Sequence, residues 1–522
     1  MMILFCFSIM LFALVMFSFL LNYSYVLNLS LLSLSGWNWL VNFIFDKVTI
    51  CVLMMLLICF LYAYFYTSHY FCNDRAGWDL LQIIVLFVVV MGVLVCTGDF
   101  LSTLIFWEYL GVVSFFLILF YDNYLSLRSS AITLVSSRFG DVCLFLIIGL
   151  SCFTFNNIIP ALIYLFFVVF SKSAGFPFIS WLLEAMRAPT PVSSLVHSST
   201  LVAAGIWFTM RYDLFNFIND IIWFSNLLLI SIFITGVSSM FFLDLKKIVA
   251  LSTCNNICWC VLYLICGGVV LSLFQLISHG VSKCVLFMLV GDVMSGSGGS
   301  QASNCVYSTR FYGNWNLFSL LIIILGLSGL PFIGVFFTKH YLLSSLIGVV
   351  NVFELMFVLI CMFLSYFYSF RLCTVITNLK SSNTCGVLFF YESGLIVCGW
   401  LFINFYIFFI MDESIGVGFI LSMMLITFQV FSWVVSLLIY DSNLFSSWSS
   451  SLFGCDNLVE FCYKIFYTIV FYSSLLFFRW DNLMMCLFGN MGRNSIVNSF
   501  NWILLNILVI GVFSFIFYLV LI

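Results

Sequence analysis

Eight ionisable side chains interrupt strongly apolar runs, and their types are those that accept and release protons. Glu108 lies midway along Leu104-Ile-Phe-Trp-Glu-Tyr-Leu110. Arg138 and Asp141 are three residues apart and share a helix face. Lys172 follows the run from Leu165 to Phe170, His197 stands among Ser and Thr, His279 and Lys283 form an i, i+4 pair, and Lys339 closes the series. An ionised group at the centre of a bilayer costs at least ~2.5–3.5 kcal/mol, so such groups face the interior of a bundle and mark ion paths. The cheapest arrangement pairs Glu108 with one of the lysines, Lys172 being the natural partner. At a separation of ~7 Å and an effective dielectric of ~20 the Coulomb attraction is roughly 2.4 kcal/mol, enough for a few ångströms of movement to load or unload a proton. Blander readings stand beside this one. Arg138 and Asp141 also suit an ion pair fixing a helix end, and His197 a satisfied packing residue. Lys246 and Lys247 open a span beside Asp244, where at least one suits a membrane-interface anchor.

Such groups need an apolar scaffold, and the composition supplies it. The chain is 64% hydrophobic and only 7% charged, where water-soluble domains carry roughly 25% charged residues. The solvent is therefore mostly lipid, and the fold class is an all-α polytopic membrane protein. Continuous apolar runs such as Ile83 to Val95 exclude a spanning β-barrel, whose strands alternate apolar and polar positions. Seventeen basic residues against 20 acidic ones, with no basic block, exclude nucleic-acid binding. The 20 cysteines are scattered through apolar runs without metal-ligand spacing and read as small apolar residues. A skew to 65 Phe with only 5 Pro suits an organelle genome of biased base composition.

Hydropathy places spans near 2–22, 47–67, 80–97, 99–121, 132–153, 158–177, 190–211, 219–242, 245–266, 267–290, 316–344, 346–374, 386–410, 416–439 and 500–522, about fifteen transmembrane helices of ~20 residues. The first run reads as a retained span rather than a signal peptide. Tyr23 to Asp46 is polar and β-prone and suits a short hairpin, and Ser295 to Ser303 a flexible connection. Gly175-Phe-Pro177-Phe-Ile and Gly329-Leu-Pro331-Phe-Ile share one pattern in two apolar segments, so Pro177 and Pro331 should each break a helix. Paired broken helices point to inverted repeats with an ion path at the breaks. From Asp441 to Asn498 polar residues return, and the apolar run Ile465 to Phe478 spans only about 21 Å, short for a bilayer of ~30 Å. Asp456, Glu460 and Lys464 recur every four residues, as on an amphipathic helix lying along a surface; a tilted span over 461–480 is the alternative.

The stretch from Lys172 to Gly205, with Pro191-Val-Ser-Ser-Leu-Val-His197-Ser-Ser-Thr200 at its centre, resembles the signature of the chain 5 subunits of mitochondrial NADH:ubiquinone oxidoreductase, respiratory complex I. Trp107-Glu108, Arg138-x-Gly140-Asp141, Asp244-Leu-Lys246, His279-x-x-x-Lys283 and Gly329-Leu-Pro-Phe-x-Gly-x-Phe-x-x-Lys339 extend the likeness in order along the chain. Sodium–proton antiporter subunits share the same core.

The resemblance implies a proton-translocating antiporter-like subunit with two inverted five-helix repeats, each containing a broken helix. It implies half-channels at 80–211 and 212–374, preceded by N-terminal spans and hairpin at 1–79. Further spans at 375–440, a lateral surface-lying helix at 441–499 and an anchor span at 500–522 would follow. Glu108 and Lys172 would be the coupling pair of the first half-channel, His197, His279 and Lys283 the central relay, and Lys339 the exit-side lysine. Arg138, Asp141, Asp244 and Lys246 would be charges at the boundary with a neighbouring subunit. Partners would be other membrane-arm subunits, especially the paralogous chain 4, together with lipids of the mitochondrial inner membrane. No nucleotide, flavin or iron–sulfur motif occurs in the sequence. NADH, FMN, iron–sulfur clusters and ubiquinone would belong to the wider complex, and a stand-alone cation–proton antiporter subunit or a scaffold with a lapsed channel are the alternative roles. Three departures bear on this. There is room for one N-terminal span where the family has two, Gln275 stands where a histidine is usual, and His340 follows Lys339 where aspartate is usual.

Overall fold

The computed structural model describes residues 24–34, 37–72, 74–153, 158–212, 221–309, 313–330, 335–346, 351–379, 381–382, 397, 399–400, 419–439, 455–488, 509–511 and 514. The expected spans at 2–22, 386–410 and 500–522 lie largely or wholly outside these residues. A hairpin comes first, β1 (Tyr25–Leu34) pairing antiparallel with β2 (Trp37–Phe45), Tyr25 opposite Phe45 and Leu34 opposite Trp37. Helices follow: α1 (Lys47–Tyr70), α2 (Arg75–Cys96), α3 (Phe100–Leu119), α4 (Tyr124–Phe153), α5 (Ile158–Ser173), α6 (Ile179–Ala185) and α7 (Thr190–Leu195). A π-helical turn (Val196–Thr200) joins α7 to α8 (Leu201–Arg211). Then come α9 (Ile221–Phe241), α10 (Leu245–Ile265), α11 (Val269–Gly296), α12 (Gly313–Ser328), α13 (Val335–Leu346), α14 (Val352–Thr377), α15 (Phe419–Ile439) and α16 (Cys455–Phe488). Two-residue strands β3 (Ser308–Thr309) and β4 (Ser381–Ser382) pair in parallel.

Among the described residues, 11 helical segments are long and apolar enough to cross a membrane, so the chain is a multi-pass helical membrane protein. The bundle is layered by polarity. The spanning windows of α11 and of Thr190–Arg211 are 100% buried and that of α10 is 94% buried, whereas that of α4 is 28% buried. The central helices are those carrying His197, Lys246, His279 and Lys283. The peripheral ones turn Val85, Val89, Phe116, Val135, Val142 and Phe145 outward, as a lipid solvent requires.

Two spans differ from their expected edges for a physical reason. The polar start of α4 reads as loop, yet Ser126, Ser129 and Ser130 donate their hydroxyls to the carbonyls of Asn123, Ser126 and Leu127, which lets the helix begin at Tyr124. Arg138 and Asp141 therefore sit mid-helix, and the helix-end reading of that pair is corrected. α16 is a 34-residue helix, about 51 Å long, far beyond the run Ile465 to Phe478, because no Pro or Gly interrupts its polar flanks. It belongs to a separate compact unit, 454–522, and its segment Glu460–Asn482 is apolar enough to cross a membrane.

One arginine ties the hairpin to the bundle. Buried Arg211 donates to Asp46 Oδ2 at 2.6 Å, to the Ile44 carbonyl at 3.1 Å and to the Thr97 carbonyl at 3.2 Å. Beside it, Asn42 donates its backbone N–H and side-chain amide to Asp99 at 2.8 and 2.9 Å. Arg211→Ala strands the Asp46 carboxylate and two carbonyls, and should destabilise the purified protein in detergent by about 3 kcal/mol, read as a lower thermal midpoint.

Candidate functional site: a buried chain of titratable groups

Lys172 owes its place to the break after α5. The helix stops at Ser173, Ala174 takes a left-handed backbone at φ 56°, and the Gly175 N–H closes on the Phe170 carbonyl at 3.1 Å before α6 begins at Ile179. The break falls at Pro177 as expected. Gly205 allows the approach of α8, since a Cβ there would lie 3.0 Å from the Val169 carbonyl. Lys172 is 0% exposed. Its Nζ donates to the Trp107 carbonyl at 3.3 Å, lies 5.3 Å from the centre of the Trp107 ring and meets Asp141 Oδ1 at 3.9 Å.

The expected direct pairing of Glu108 with Lys172 is corrected here: Asp141 is the carboxylate at the amine. Adjacent residues on a helix point about 100° apart. Trp107 faces inward, so its neighbour Glu108 turns to the surface, where its side chain is 49% exposed. Arg138 links the two acids, with Nη1 3.3 Å from Glu108 Oε1 and 3.5 Å from Asp141 Oδ2. The four groups form one line from the surface inward: Glu108, Arg138, Asp141, Lys172.

From Lys172 a small cavity continues to His197. Its walls include the hydroxyl residues Ser114, Thr133, Ser137 and Ser171 together with Trp181, and it has room for about one water molecule. His197 sits in the π-helical turn and is fully buried, its ring 6.3 Å from that of Trp181. Lys246 points inward as well and donates to the Ala188 carbonyl at 3.3 Å, while Lys247 is 35% exposed and pairs with Asp244 at 3.3 Å. The boundary role expected of Asp141 and Lys246 is therefore corrected. Both are turned into the chain, and a buried side chain presents no charge to a neighbour, whereas those of Arg138 and Asp244 are 42% and 34% exposed.

The central helices carry the next groups. His279 and Lys283 lie one turn apart on α11, both buried. Lys283 Nζ donates to the Ser252 hydroxyl on α10 in a short hydrogen bond, so its partner is a hydroxyl and not a carboxylate. Ser252→Ala leaves that amine without its acceptor, and should lower the stability of the purified protein by about 2 kcal/mol in a thermal melt. Gln275, a turn before His279, accepts from Thr338 Oγ1 at 3.0 Å, and Thr338 lies 3.4 Å from the Tyr263 hydroxyl. Lys339 is buried beside it, donating to the Ser328 carbonyl and to Ser365 Oγ, each at 2.7 Å, with its charge 4.0 Å from the centre of the Tyr366 ring. His340 is buried against the edge of Phe336. No ring nitrogen of His197, His279 or His340 makes a hydrogen bond of good geometry with the described residues. Buried polar groups find partners in proteins or in ordered water, so these rings suit a path that water completes.

Pro331 lies outside the described residues. Around it α12 ends at Ser328, Gly329 has φ 92°, and α13 starts at Val335. Gln429 on α15 donates to the Gly329 carbonyl at 2.6 Å. Gln429, Ser252, Thr338 and Ser365 escape a reading of the sequence, and Trp107 is noted there only as the neighbour of Glu108. A single amide in an apolar helix is a usable signal for Gln429, but serines, threonines and tryptophans are too common in such helices to stand out.

Comparison with known proteins follows the same lines. Residues 97–367 match the family described as "NADH:quinone oxidoreductase/Mrp antiporter, TM". NADH-ubiquinone oxidoreductase chain 5 of Anopheles gambiae is 32% identical over 375 residues, 68% of this chain and 64% of that one. The Anopheles arabiensis chain 5 is 31% identical over 357 residues, 64% of this chain and 91% of that one. The Caenorhabditis elegans chain 5 is 34% identical over 344 residues, 63% of this chain and 64% of that one. The chain thus spans just under two thirds of the A. gambiae and C. elegans proteins. The fold is shared with the Mrp complex of Dietzia sp. DQ12-45-1b, at a TM-score of 0.68 and 20% identity over 88% of this chain and 56% of that one. It is shared too with an archaeal membrane-bound sulfane sulfur reductase, at a TM-score of 0.62 and 16% identity over 83% of this chain and 93% of that one. With its family match over 97–367 and its likeness to chain 5 proteins along most of its length, the chain belongs to the NADH:quinone oxidoreductase/Mrp antiporter family, among the chain 5 homologues.

Proposed function

We propose that the chain is a proton-translocating antiporter-like subunit in the membrane arm of respiratory complex I, in the mitochondrial inner membrane. Quinone reduction by NADH occurs in other subunits, which hold FMN, the iron–sulfur clusters and ubiquinone. The observation that carries this reading is the set of buried groups Lys172 on α5, His197, His279 and Lys283 in the central helices, and Lys339 on α13. The Coulomb attraction across a gap of ~4 Å is about 4 kcal/mol at an effective dielectric of ~20, and doubling the gap halves it. Moving Asp141 against Lys172 therefore changes the cost of keeping a proton on the amine, and the cavity toward His197 gives that proton somewhere to go. Arg138 and Glu108 extend the network to the surface, where the paralogous chain 4 docks and passes on the coupling signal.

In this reading 80–211 and 212–374 are the two inverted five-helix half-channels, broken at Pro177 and Pro331. Lys339 serves exit, Gln275 conducts through hydrogen bonding with Thr338, and His340 adds a titratable group beside the exit. Residues 1–79 supply the N-terminal spans and hairpin, and 375–440 further spans. The amphipathic stretch within 441–499 lies laterally along the membrane arm, and 500–522 anchors it. Lipids fill the apolar outer faces.

The test is isolation from native mitochondrial membranes. The chain should co-purify with NADH-dehydrogenase activity on a native gel, and the isolated complex in proteoliposomes should acidify one compartment when NADH is added. A stand-alone cation–proton antiporter is the second reading, favoured by the fold shared with the Dietzia Mrp complex. Recovery of a free oligomer, exchanging sodium for protons with no redox arm attached, would establish it instead.

A further inference from the structure

One buried carboxylate lies outside the path described so far. Asp292, a turn before the end of α11, is 3% exposed, in a span where an ionised group is costly. Its Oδ1 meets His69 Nε2, in the last turn of α1, at 3.8 Å. Tyr66, one turn earlier on α1 and buried, sets its hydroxyl beside both Asp292 and Thr190. Gly291 leaves room for that approach, since a Cβ there would push the Tyr66 hydroxyl aside. Of the chain's four histidines, His197, His279 and His340 are buried, whereas the His69 side chain is 23% exposed. The pair lies one turn before the polar segment that follows α11, in which Ser295, Gly298, Gly299 and Gln301 are exposed.

Thr190 leads inward from this cluster. Thr190, Ser194 and His197 recur at i, i+4 and i+7, so they line one face of α7 and the π-helical turn, and all are buried. Two turns, about 10 Å, separate Thr190 from His197. We propose that His69, Asp292 and Tyr66 form an aqueous port of the proton path, joined to His197 along this hydroxyl stripe. A proton taken from water by the His69 imidazole passes to the Asp292 carboxylate and on through the Tyr66 and Thr190 hydroxyls. Each hydroxyl accepts one proton and releases its own, so the port returns to its starting charge. The inference rests on the proton-translocating reading and names where that path meets water.

The test uses the complete complex in proteoliposomes. Diethyl pyrocarbonate acylates exposed imidazoles, and peptide mass spectrometry should find His69 modified and the chain's other three histidines spared. As His69 is acylated, NADH-driven proton translocation should fall about tenfold or more, and hydroxylamine, which removes the group, should restore it. An H69Q complex should have lost translocation before treatment, D292N should match it, and D292E should recover most of the rate. Complete acylation of His69 with an unchanged proton yield overturns the port, even if D292N fails to assemble. A K172M complex run alongside separates the two levels. Loss in K172M with normal translocation in H69Q and D292N overturns the port and leaves the pump standing, whereas normal translocation in K172M removes the reading beneath both.

Discussion

Replacing Lys172 with Met lowers the initial rate of NADH-driven proton translocation at least tenfold, by about 1.4 kcal/mol or more in barrier. The side chains are of similar length, so the packing against Trp107 survives while the ammonium is lost. Asp141 then keeps Arg138 as its partner but has no proton donor on its inner side, and the cavity keeps His197 but loses the titratable group at its other end. The measurement is the fluorescence of a pH-sensitive dye in proteoliposomes, with assembly checked on a native gel. A wild-type rate in an assembled K172M complex would contradict the assignment.

The second large effect concerns the order of two acids. Asp141→Asn should cost more translocation than Glu108→Gln, about tenfold against about twofold, because a buried partner of a buried charge is worth far more than one facing out. D141N leaves Lys172 buried without a counter-charge within reach, whereas E108Q removes only the outer contact of Arg138. Parallel assays of the two variants on one preparation decide it. The opposite order would restore Glu108 as the direct partner of Lys172 in the working state.

That order could not have been read from residue spacing. The types and sequence positions of Lys172, His197, His279, Lys283 and Lys339 were legible, because an ionisable group in an apolar run has few excuses. The break at Pro177 was legible because proline leaves few alternatives, and the hairpin after Tyr23 because its polar, β-prone residues cannot cross a bilayer as a helix. Rotation about a helix axis was not legible. In an apolar span every face looks alike, so Glu108 stood as the partner of Lys172 until the inward turn of Trp107 showed its side chain facing out and Asp141 at the amine. Helix ends were legible where Pro, Gly or an aspartate before an apolar run marked them, as Asp46 and Asp244 do, whereas the serine-rich start of α4 and the polar flanks of α16 carry no such mark and were missed. Hydroxyl partners such as Ser252 and Thr338 become visible only when two helices are brought together.

A map of the native complex at a resolution that shows ordered water tests the relay most directly. Water should bridge Lys172 and His197 within the cavity lined by Ser114, Thr133, Ser137 and Ser171, and further water should bind the ring nitrogens of His279. A dry, side-chain-filled gap between Lys172 and His197, with both His279 nitrogens apolar-packed, would contradict a continuous proton path through these residues.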